Sequence, residues 1–517
     1  MNQNRAKIFF SLWIVILIFA EGFIISLQFS GEKRAYTVSK KERGIILDRN
    51  GEELVFNVTR KSLAMNPKKL SQKEKEDLLA YLNKALGISA KTLKEKMNSS
   101  LEFVWIKRIL SESEVSKIKN YVDGEKLFFI EEPFRSYPLK IGTSNLLGFV
   151  GVDNQGLYGL EASLDGYLSN GSKVYLTLDK NLQEISAIYL KEYVEKFKAE
   201  GGFIGIIDLN SGEIVTLASL PDIDINGSLS EIIEQSSKEN VLYSLFEPGS
   251  LFKIVTTAIA LEEKILDPKK IIECRGEEII DDYIIRCVEP HGKVNLEEAV
   301  VRSCNIYFYY LAKKIKPEIW EKYFKLLGVD KPVPLDITLT QNDSLVSNIR
   351  ESVVNRGTIG FGHGIALTPL KTLWILSSIG NNGYLLEPHI IKRVESKDGK
   401  VLLEERASNL RQVFSEETSK EVLNYMKEVV KRGTASNAGL DGYNVAGKTG
   451  TAQVSAPYGY TELYNHFFLG YLFLENKKYC ILIMLEKPKV SRFARESAVL
   501  LFRDLTKKLA IYGRMIN

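Results

Sequence analysis

Hydrophobic positions fall into a few distinct patterns along this chain. The first is continuous: IFFSLWIVILIFAEGFIISLQF, Ile8 to Phe29, is 22 residues long and interrupted only by Glu21. About 20 apolar residues are what a helix needs to cross a bilayer. Residues 8–29 are therefore predicted to be a transmembrane helix, preceded by a short cytoplasmic tail, 1–7. A cleaved leader predicts a shorter apolar core closed by a small-x-small site, and no clean one is present. Glu21 would cost roughly 2.5–3.5 kcal/mol near a helix centre; lying past the centre, it is placed to reach the interface or to face a partner helix. Arg5 and Lys7 precede the span, and Lys33 and Arg34 follow it. The charge bias for an inside N-terminus is weak. The rest of the chain is expected on the outer side of the cytoplasmic membrane.

Short, turn-bounded patterns follow. RGIILDRNGEELVFN (43–57) places a DRNG turn between two apolar runs and predicts a hairpin. Residues 66–125 carry Lys- and Glu-rich helical patterns, and 133–160 are crowded with Gly and turn residues. Together 30–172 read as one elongated α+β region. A second unit is predicted over 173–517. VYLTLD reads as a strand, and Asp179 as the N-cap of a helix from about Lys180 to Glu200. GGFIGIIDLNSGEIVTLASLP reads as two strands joined at Asn210-Ser211-Gly212. NVAGKTGTAQV, HFFLGYLFL and YCILIMLE read as three more strands before a closing helix at 493–511. Strands at both ends with helices between predict one antiparallel sheet flanked by helices, an α+β fold.

Composition narrows the function classes. The chain has 517 residues, 45% hydrophobic and 26% charged, which is ordinary for a globular protein. A net charge of +4 is too diffuse for a nucleic-acid partner. Four cysteines are too few for a disulfide scaffold. The four histidines, His291, His363, His389 and His466, show no ligand spacing, so neither a metal nor another cofactor is expected.

The chemistry-bearing stretch is EPGSLFKIV (247–255). Positions i and i+3 share a helix face, so Ser250 and Lys253 are predicted side by side at the first turn of a helix. A serine hydroxyl needs a base to take its proton, and a lysine is that base once burial or a second cation lowers its pKa. The pattern S-x-x-K alone is weak, since Ser30–Lys33 and Ser116–Lys119 match it too; the plain alternative is a helix start with a snorkelling lysine. Two further elements strengthen it. RSCNIYF contains Ser303-x-Asn305, and AGKTGTAQ contains Lys448-Thr449-Gly450. S-x-x-K, S-x-N and K-T-G in that order are the signature of penicillin-recognising serine acyl-enzymes. Ser303 would relay a proton between the lysines and the leaving amine. Asn305 would hold Lys253 and a substrate amide. Lys448 supplies the second cation. Gly450 lets a substrate lie along the strand as an added strand. The backbone N–H groups of Ser250 and Thr451 are the expected oxyanion hole.

At this point the chain resembles a class B penicillin-binding protein. The resemblance runs through RGIILDRNG, FRSYPL, LLGFVGVDNQGLYGLE, LFEPGSLFK, HGKVNLEEAVVRSCNIYF, GFGHGIALTPLKTLWILSSIGNNG and VAGKTGTAQV. It implies a membrane-anchored D,D-transpeptidase with a pedestal (dimerisation-type) domain and a serine β-lactamase-like transpeptidase domain. It implies Ser250 as the acylated nucleophile and Lys253 as general base, with Ser303 and Asn305 as the second motif. Lys448, Thr449, Gly450 and Thr451 would form the substrate-binding strand. The implied partners are peptidoglycan stem peptides ending in D-Ala-D-Ala, β-lactam antibiotics, and a polytopic glycan polymerase with other cell-wall machinery in the membrane. His363 and Lys371 stand where glutamines are common in the family.

The compact GFVGVDNQGLYGLE stretch resembles the division or sporulation type more than the elongation type, which stays the alternative. A β-lactamase needs a carboxylate to activate water, and the only near match, EVLN at 421–424, reads as amphipathic helix. A carboxypeptidase differs only in its acceptor. A catalytically idle scaffold or β-lactam-binding protein of the same machinery has no need to keep the five motif side chains together. Finally, CRGEEIIDDYIIRC predicts a hairpin turning at about residues 280–281, with Cys274 opposite Cys287, either disulfide-bonded or as free thiols. Cys304 reads as a small buried residue.

Overall fold

The DRNG turn closes the first hairpin as its residue types require. The backbone N–H groups of Asn50 and Glu52 both donate to Asp48 Oδ1 at 2.8 Å, and Gly51 takes φ +88°. Strand Ile46–Leu47 thereby turns back antiparallel onto Glu53–Met65. This computed structural model describes residues 42–515, apart from 226–228, 238–239, 281–282, 338–343, 405–408 and 457–458. The expected transmembrane helix 8–29, with Glu21, lies outside the described residues. Among those described, no helix is long and apolar enough to cross a membrane.

The long strand Glu53–Met65 organises a seven-stranded sheet, pairing with Leu127–Ser136 over ten residues and with Val104–Lys107. Val104–Lys107 falls inside the stretch read as helical; four residues are too few to show a period of two, and the partner strand is about forty residues away. The helical patterns themselves form Gln72–Leu86, Ala90–Met97 and Glu112–Ile118, each N-capped by a serine, Ser71, Ser89 and Ser111. Their apolar faces bury Leu82, Leu93 and Ile118 against Leu63, Met65 and Leu127 of the sheet. The same sheet continues on its other side through Lys173–Leu176, parallel to Ile46–Leu47, and then Ile391–Glu395 and Val401–Glu404. It thus joins strands from both sides of residue 172.

A buried ion cluster ties three sequence motifs together. Arg43 Nε meets Glu161 Oε2 at 2.7 Å, and Arg135 Nε meets Glu161 Oε1 at 2.6 Å. Arg43 also reaches Asp165. Glu161 is fully buried, and both guanidinium groups are nearly so. Carboxylate and guanidinium charges survive at such depth only when paired.

The second sheet has five antiparallel strands in the order Asn444–Ala456, Gly459–Phe473, Lys478–Glu486, Gly201–Asp208, Ile214–Leu220. Strands Lys478–Glu486, Gly201–Asp208 and Ile214–Leu220 are buried almost throughout because both faces are covered. Phe203, Phe467, Leu469, Leu482 and Met484 face a core containing Phe252, Val255, Leu373 and Trp374. Their neighbours Ile204, Phe468, Ile481 and Ile483 face Leu190, Phe197, Phe502 and Leu505. Those covering residues come from helices Lys180–Phe197, with Asp179 accepting from the N–H groups of Asn181 and Leu182, and Ala498–Met515. Strand Asn444–Ala456 is the sheet's edge.

One predicted register is corrected. Glu277–Ile280 does pair with Tyr283–Arg286, but Glu277 stands opposite Arg286 and Ile280 opposite Tyr283, which is not the expected register. Cys274 ends a separate strand, Ile272–Cys274, opposite Gly292 of Gly292–Val294. Gly276, at φ +95°, bends the chain between the two strands, and the Cys287 N–H donates to its carbonyl. Cys274 and Cys287 are therefore not a cross-strand pair, and neither is in a disulfide.

Candidate active site

Ser250 lies in a 3-10 turn, Gly249–Leu251, that leads into helix Phe252–Glu262. The sequence places it on the first α-helical turn; the tighter turn arises because Gly249 takes φ +52°. Ser250 is half-buried, and Lys253 is completely buried. Gly450 of the edge strand packs against this turn: a Cβ there would sit 3.1 Å from Leu251 Cγ and from the Pro248 carbonyl oxygen.

Lys253 Nζ donates to Asn305 Oδ1 at 2.6 Å, to the Ser303 carbonyl at 2.7 Å and to Ser303 Oγ at 3.1 Å. Lys448 Nζ reaches the same Ser303 Oγ from the other side, at 2.9 Å, and donates to the Thr449 carbonyl. One hydroxyl thus bridges two fully buried amines. Ser303 takes φ +59°, in the left-handed region that a serine rarely occupies. Burial pulls the Lys253 pKa down to about 8, and burial together with Lys253 holds Lys448 well below the ordinary lysine range. With both amines buried on one hydroxyl, charge on Lys253 disfavours charge on Lys448. The Lys253 amine also lies over the Phe308 ring, 5.6 Å from its centroid.

Thr449 Oγ1 is 2.8 Å from Thr434 Oγ1, and Thr451 Oγ1 accepts from the Ala494 N–H. All eight residues singled out in the sequence, Ser250, Lys253, Ser303, Asn305, Lys448, Thr449, Gly450 and Thr451, therefore come from the Gly249–Leu251 turn and the helix after it, the turn leading into helix Asn305–Lys314, and strand Asn444–Ala456, which meet at one place. Several neighbours were given no role in the site by the sequence, His363 and Lys371 being noted only as departures from the family. Glu247 accepts from the Gly364 N–H at 2.9 Å and from the Tyr460 hydroxyl. His363 lies between the rings of Phe361 and Tyr460, and burial plus the Lys253 charge lowers its pKa to about 4. Gly362 abuts the nucleophile turn so closely that a Cβ would fall 2.0 Å from the Gly249 carbonyl oxygen. Lys371 is buried, and its amine donates to the Lys331 carbonyl.

Residues that show no ligand spacing along the chain nevertheless lie together in the fold. Cys274, Cys287, His291 and Cys304 bring their ligand atoms within 4.8 Å of one another. Linear spacing hid this, because the four residues sit on separate short elements that only the Gly276 bend and the following strands bring together. The Cys287–Cys304 hydrogen bond pulls the first thiol below the ordinary range and pushes the second above it.

Comparison with known proteins identifies the family. Residues 202–507 match the penicillin binding protein transpeptidase domain, and residues 38–181 match the penicillin-binding protein dimerisation domain. Stage V sporulation protein D of Bacillus subtilis is 30% identical over 485 residues, covering 87% of this chain and 74% of its own. Peptidoglycan D,D-transpeptidase FtsI of Buchnera aphidicola is 26% identical over 98% of this chain and 95% of its own. Penicillin binding protein 3 of Mycobacterium tuberculosis, solved with aztreonam, shares the fold with a TM-score of 0.71 at 23% identity, over 91% of this chain and 96% of that one. With the S-x-x-K, S-x-N and K-T-G residues converging on one hydroxyl, the chain belongs to the class B penicillin-binding proteins, in their division and sporulation branch.

Proposed function

We propose that the protein is a septal peptidoglycan D,D-transpeptidase that works through an acyl-Ser250 intermediate. The observation that carries the reading is the pair of buried amines, Lys253 and Lys448, bridged by Ser303 Oγ beside the Ser250 turn. Ser250 Oγ attacks the carbonyl carbon of the penultimate D-Ala of a donor stem peptide, and Lys253 Nζ takes the hydroxyl proton. The tetrahedral oxyanion is held by the backbone N–H groups of Ser250 and Thr451. Ser303, between the two amines, passes a proton toward the nitrogen of the leaving D-Ala. The amine of a second stem peptide then attacks the ester carbonyl, and Ser250 recovers its proton. Asn305 keeps Lys253 aimed. The open edge of strand Asn444–Ala456 supports binding of the donor as an added strand, with Lys448, Thr449, Gly450 and Thr451 along it. A β-lactam mimics the donor terminus and leaves a slowly hydrolysed ester on Ser250.

The apolar run 8–29 supports a single-pass anchor in the cytoplasmic membrane, with residues 30–172 as pedestal and 173–517 as the extracytoplasmic transpeptidase domain. A polytopic glycan polymerase is the proposed membrane partner. The test is covalent labelling of the full chain in detergent with a fluorescent penicillin, beside Ser250→Ala. Labelling that maps to Ser250 and vanishes in the variant is expected. A folded chain that stays unlabelled would move the reading to a scaffold.

A further inference from the structure

Glu247 is a carboxylate without a cation. It stands on the nucleophile turn's approach, three residues before Ser250, and is half-buried. Its Oε1 accepts from the Gly364 N–H at 2.9 Å and from the Tyr460 hydroxyl at 3.2 Å; its Oε2 shares that hydroxyl, at 3.1 Å. Among the described residues no Lys, Arg or His pairs with it. Glu161, by contrast, lies between two guanidinium groups. An ionised carboxylate has about four acceptor positions, and one withdrawn from water is stabilised when a cation meets it. Burial without such a partner pushes the Glu247 carboxyl above its usual range.

Aromatic rings stand beside this carboxylate. The Tyr460 and His363 ring centroids are 4.8 Å apart, and His363 lies 5.0 Å from Phe361. Phe361 is buried, His363 is half-buried, and Tyr460 is 45% exposed, so the group opens from the core to solvent. A ring face attracts an ammonium group within about 6 Å of its centroid. The imidazole, held near pKa 4 by burial and the Lys253 charge, is uncharged and adds no repulsion.

We infer that Glu247, Tyr460 and His363 form a subsite for a primary ammonium group of a stem peptide. The charges along the sheet edge are ordered for it. Strand Asn444–Ala456 carries Lys448 toward one end, and toward the other Ser455 pairs with Tyr460, whose hydroxyl meets Glu247. Gly450, between them, faces the Pro248 carbonyl. A peptide lying along this edge meets the buried amines of Lys253 and Lys448 at one end and an uncompensated carboxylate at the other. Three Cα–Cα steps of about 3.8 Å keep the Glu247 backbone within about 11 Å of that of Ser250, a span that one extended residue and a lysine-length side chain bridge. The ammonium has two sources, the acceptor's attacking amine and a side-chain amine on the donor itself, and the chemistry is the same for both. The subsite rests on the transpeptidase reading given above.

The test uses the full chain in detergent and two synthetic stem pentapeptides ending in D-Ala-D-Ala. One carries a free lysine side-chain amine at its third residue; the other has that amine acetylated. In the donor arm, each peptide competes with fluorescent penicillin for Ser250. In the acceptor arm, the free-amine peptide captures the acyl-enzyme formed from a thioester donor, over a concentration series. Glu247→Gln keeps an acceptor oxygen for Gly364 and Tyr460 and removes only the charge. The expected result is an effect of Glu247→Gln in one arm. A wild-type preference for the free amine of at least tenfold, reduced below twofold in the variant, assigns the subsite to the donor's own amine. A half-saturating acceptor concentration raised at least tenfold, with a smaller change in the saturating rate, assigns it to the acceptor. Tyr460→Leu, which removes the ring face, is expected to act in the same arm by threefold or more. Each arm compares two ligands or two parameters on one preparation, so a less stable variant does not imitate either result. Wild-type values for Glu247→Gln in both arms would overturn the subsite. Failure of the wild type itself to be labelled by penicillin would count against the transpeptidase reading, and against the subsite with it.

Discussion

Lys253 is the residue on which the proposed reaction turns, and its environment sets a pH dependence. Burial favours the neutral amine and brings its pKa to about 8, against the opposing pull of the Cys287 and Cys304 sulfurs. Lys448 faces it across Ser303, and His363, held near pKa 4, stays neutral above that pH. The base is active when unprotonated, so penicillin acylation is expected to rise with pH, with a midpoint about 8, and to level off above it. A stopped-flow profile across that range checks this; a flat profile would argue against Lys253 as the base. Lys253→Arg, whose guanidinium stays protonated at all such pH values, is expected to lose acylation throughout. Ser303 illustrates a residue whose importance composition and periodicity do not show. Only the fold reveals that its hydroxyl has an amine on each side and that its backbone is held at positive φ.

At the scale of elements, the site is the meeting of a 3-10 turn, a helix N-terminus and a sheet edge. Strand Asn444–Ala456 approaches the nucleophile turn through Gly450, and the Gly362–Gly364 loop approaches it from another side. A Cβ at Gly362 would overlap the Gly249 carbonyl, and its φ of +86° disfavours any side chain. Gly362→Ala is therefore expected to displace the Ser250 turn. Acylation should fall by more than tenfold while global stability falls by only about 1–3 kcal/mol, compared by labelling kinetics and urea denaturation on the same preparation. Equal activity in a stably folded variant would show that the turn tolerates the shift. The elements of the five-stranded sheet were legible from sequence because long apolar runs and the Asn210-Ser211-Gly212 turn are local signals. The strand Val104–Lys107 and the Cys274–Cys287 register were not, since each depends on a partner or a bend supplied from elsewhere in the chain.

At the scale of the molecule, the N-terminal motifs and the sheet they share with Lys173–Leu176 and Ile391–Glu395 depend on charges buried together. Glu161 accepts from Arg43 and Arg135 with no exposure to solvent. Removing its charge leaves two guanidinium groups in low dielectric, which typically costs about 3–5 kcal/mol. Glu161→Gln is expected to lower the unfolding free energy by that order, with the first denaturation transition arising in the sheet around Glu53–Met65. Hydrogen exchange across strand Leu127–Ser136 would reveal it. A change under about 1 kcal/mol would mean that water enters the cluster.

The sequence alone determined what is local and what is ordered along the chain: the capped helices, the apolar strands, and the succession Ser250-x-x-Lys253, Ser303-x-Asn305, Lys448-Thr449-Gly450. Those features follow from side-chain period, turn chemistry and motif order, which need no knowledge of distant neighbours. Tertiary structure alone decided where the polar and reactive groups meet. It set two lysines about one serine hydroxyl, a carboxylate between two arginines, and three cysteines around His291. The physical reason is the same in each case. Burial makes an isolated charge or polar group costly, and only the folded chain brings the partner, tens or hundreds of residues away, that makes burial tolerable.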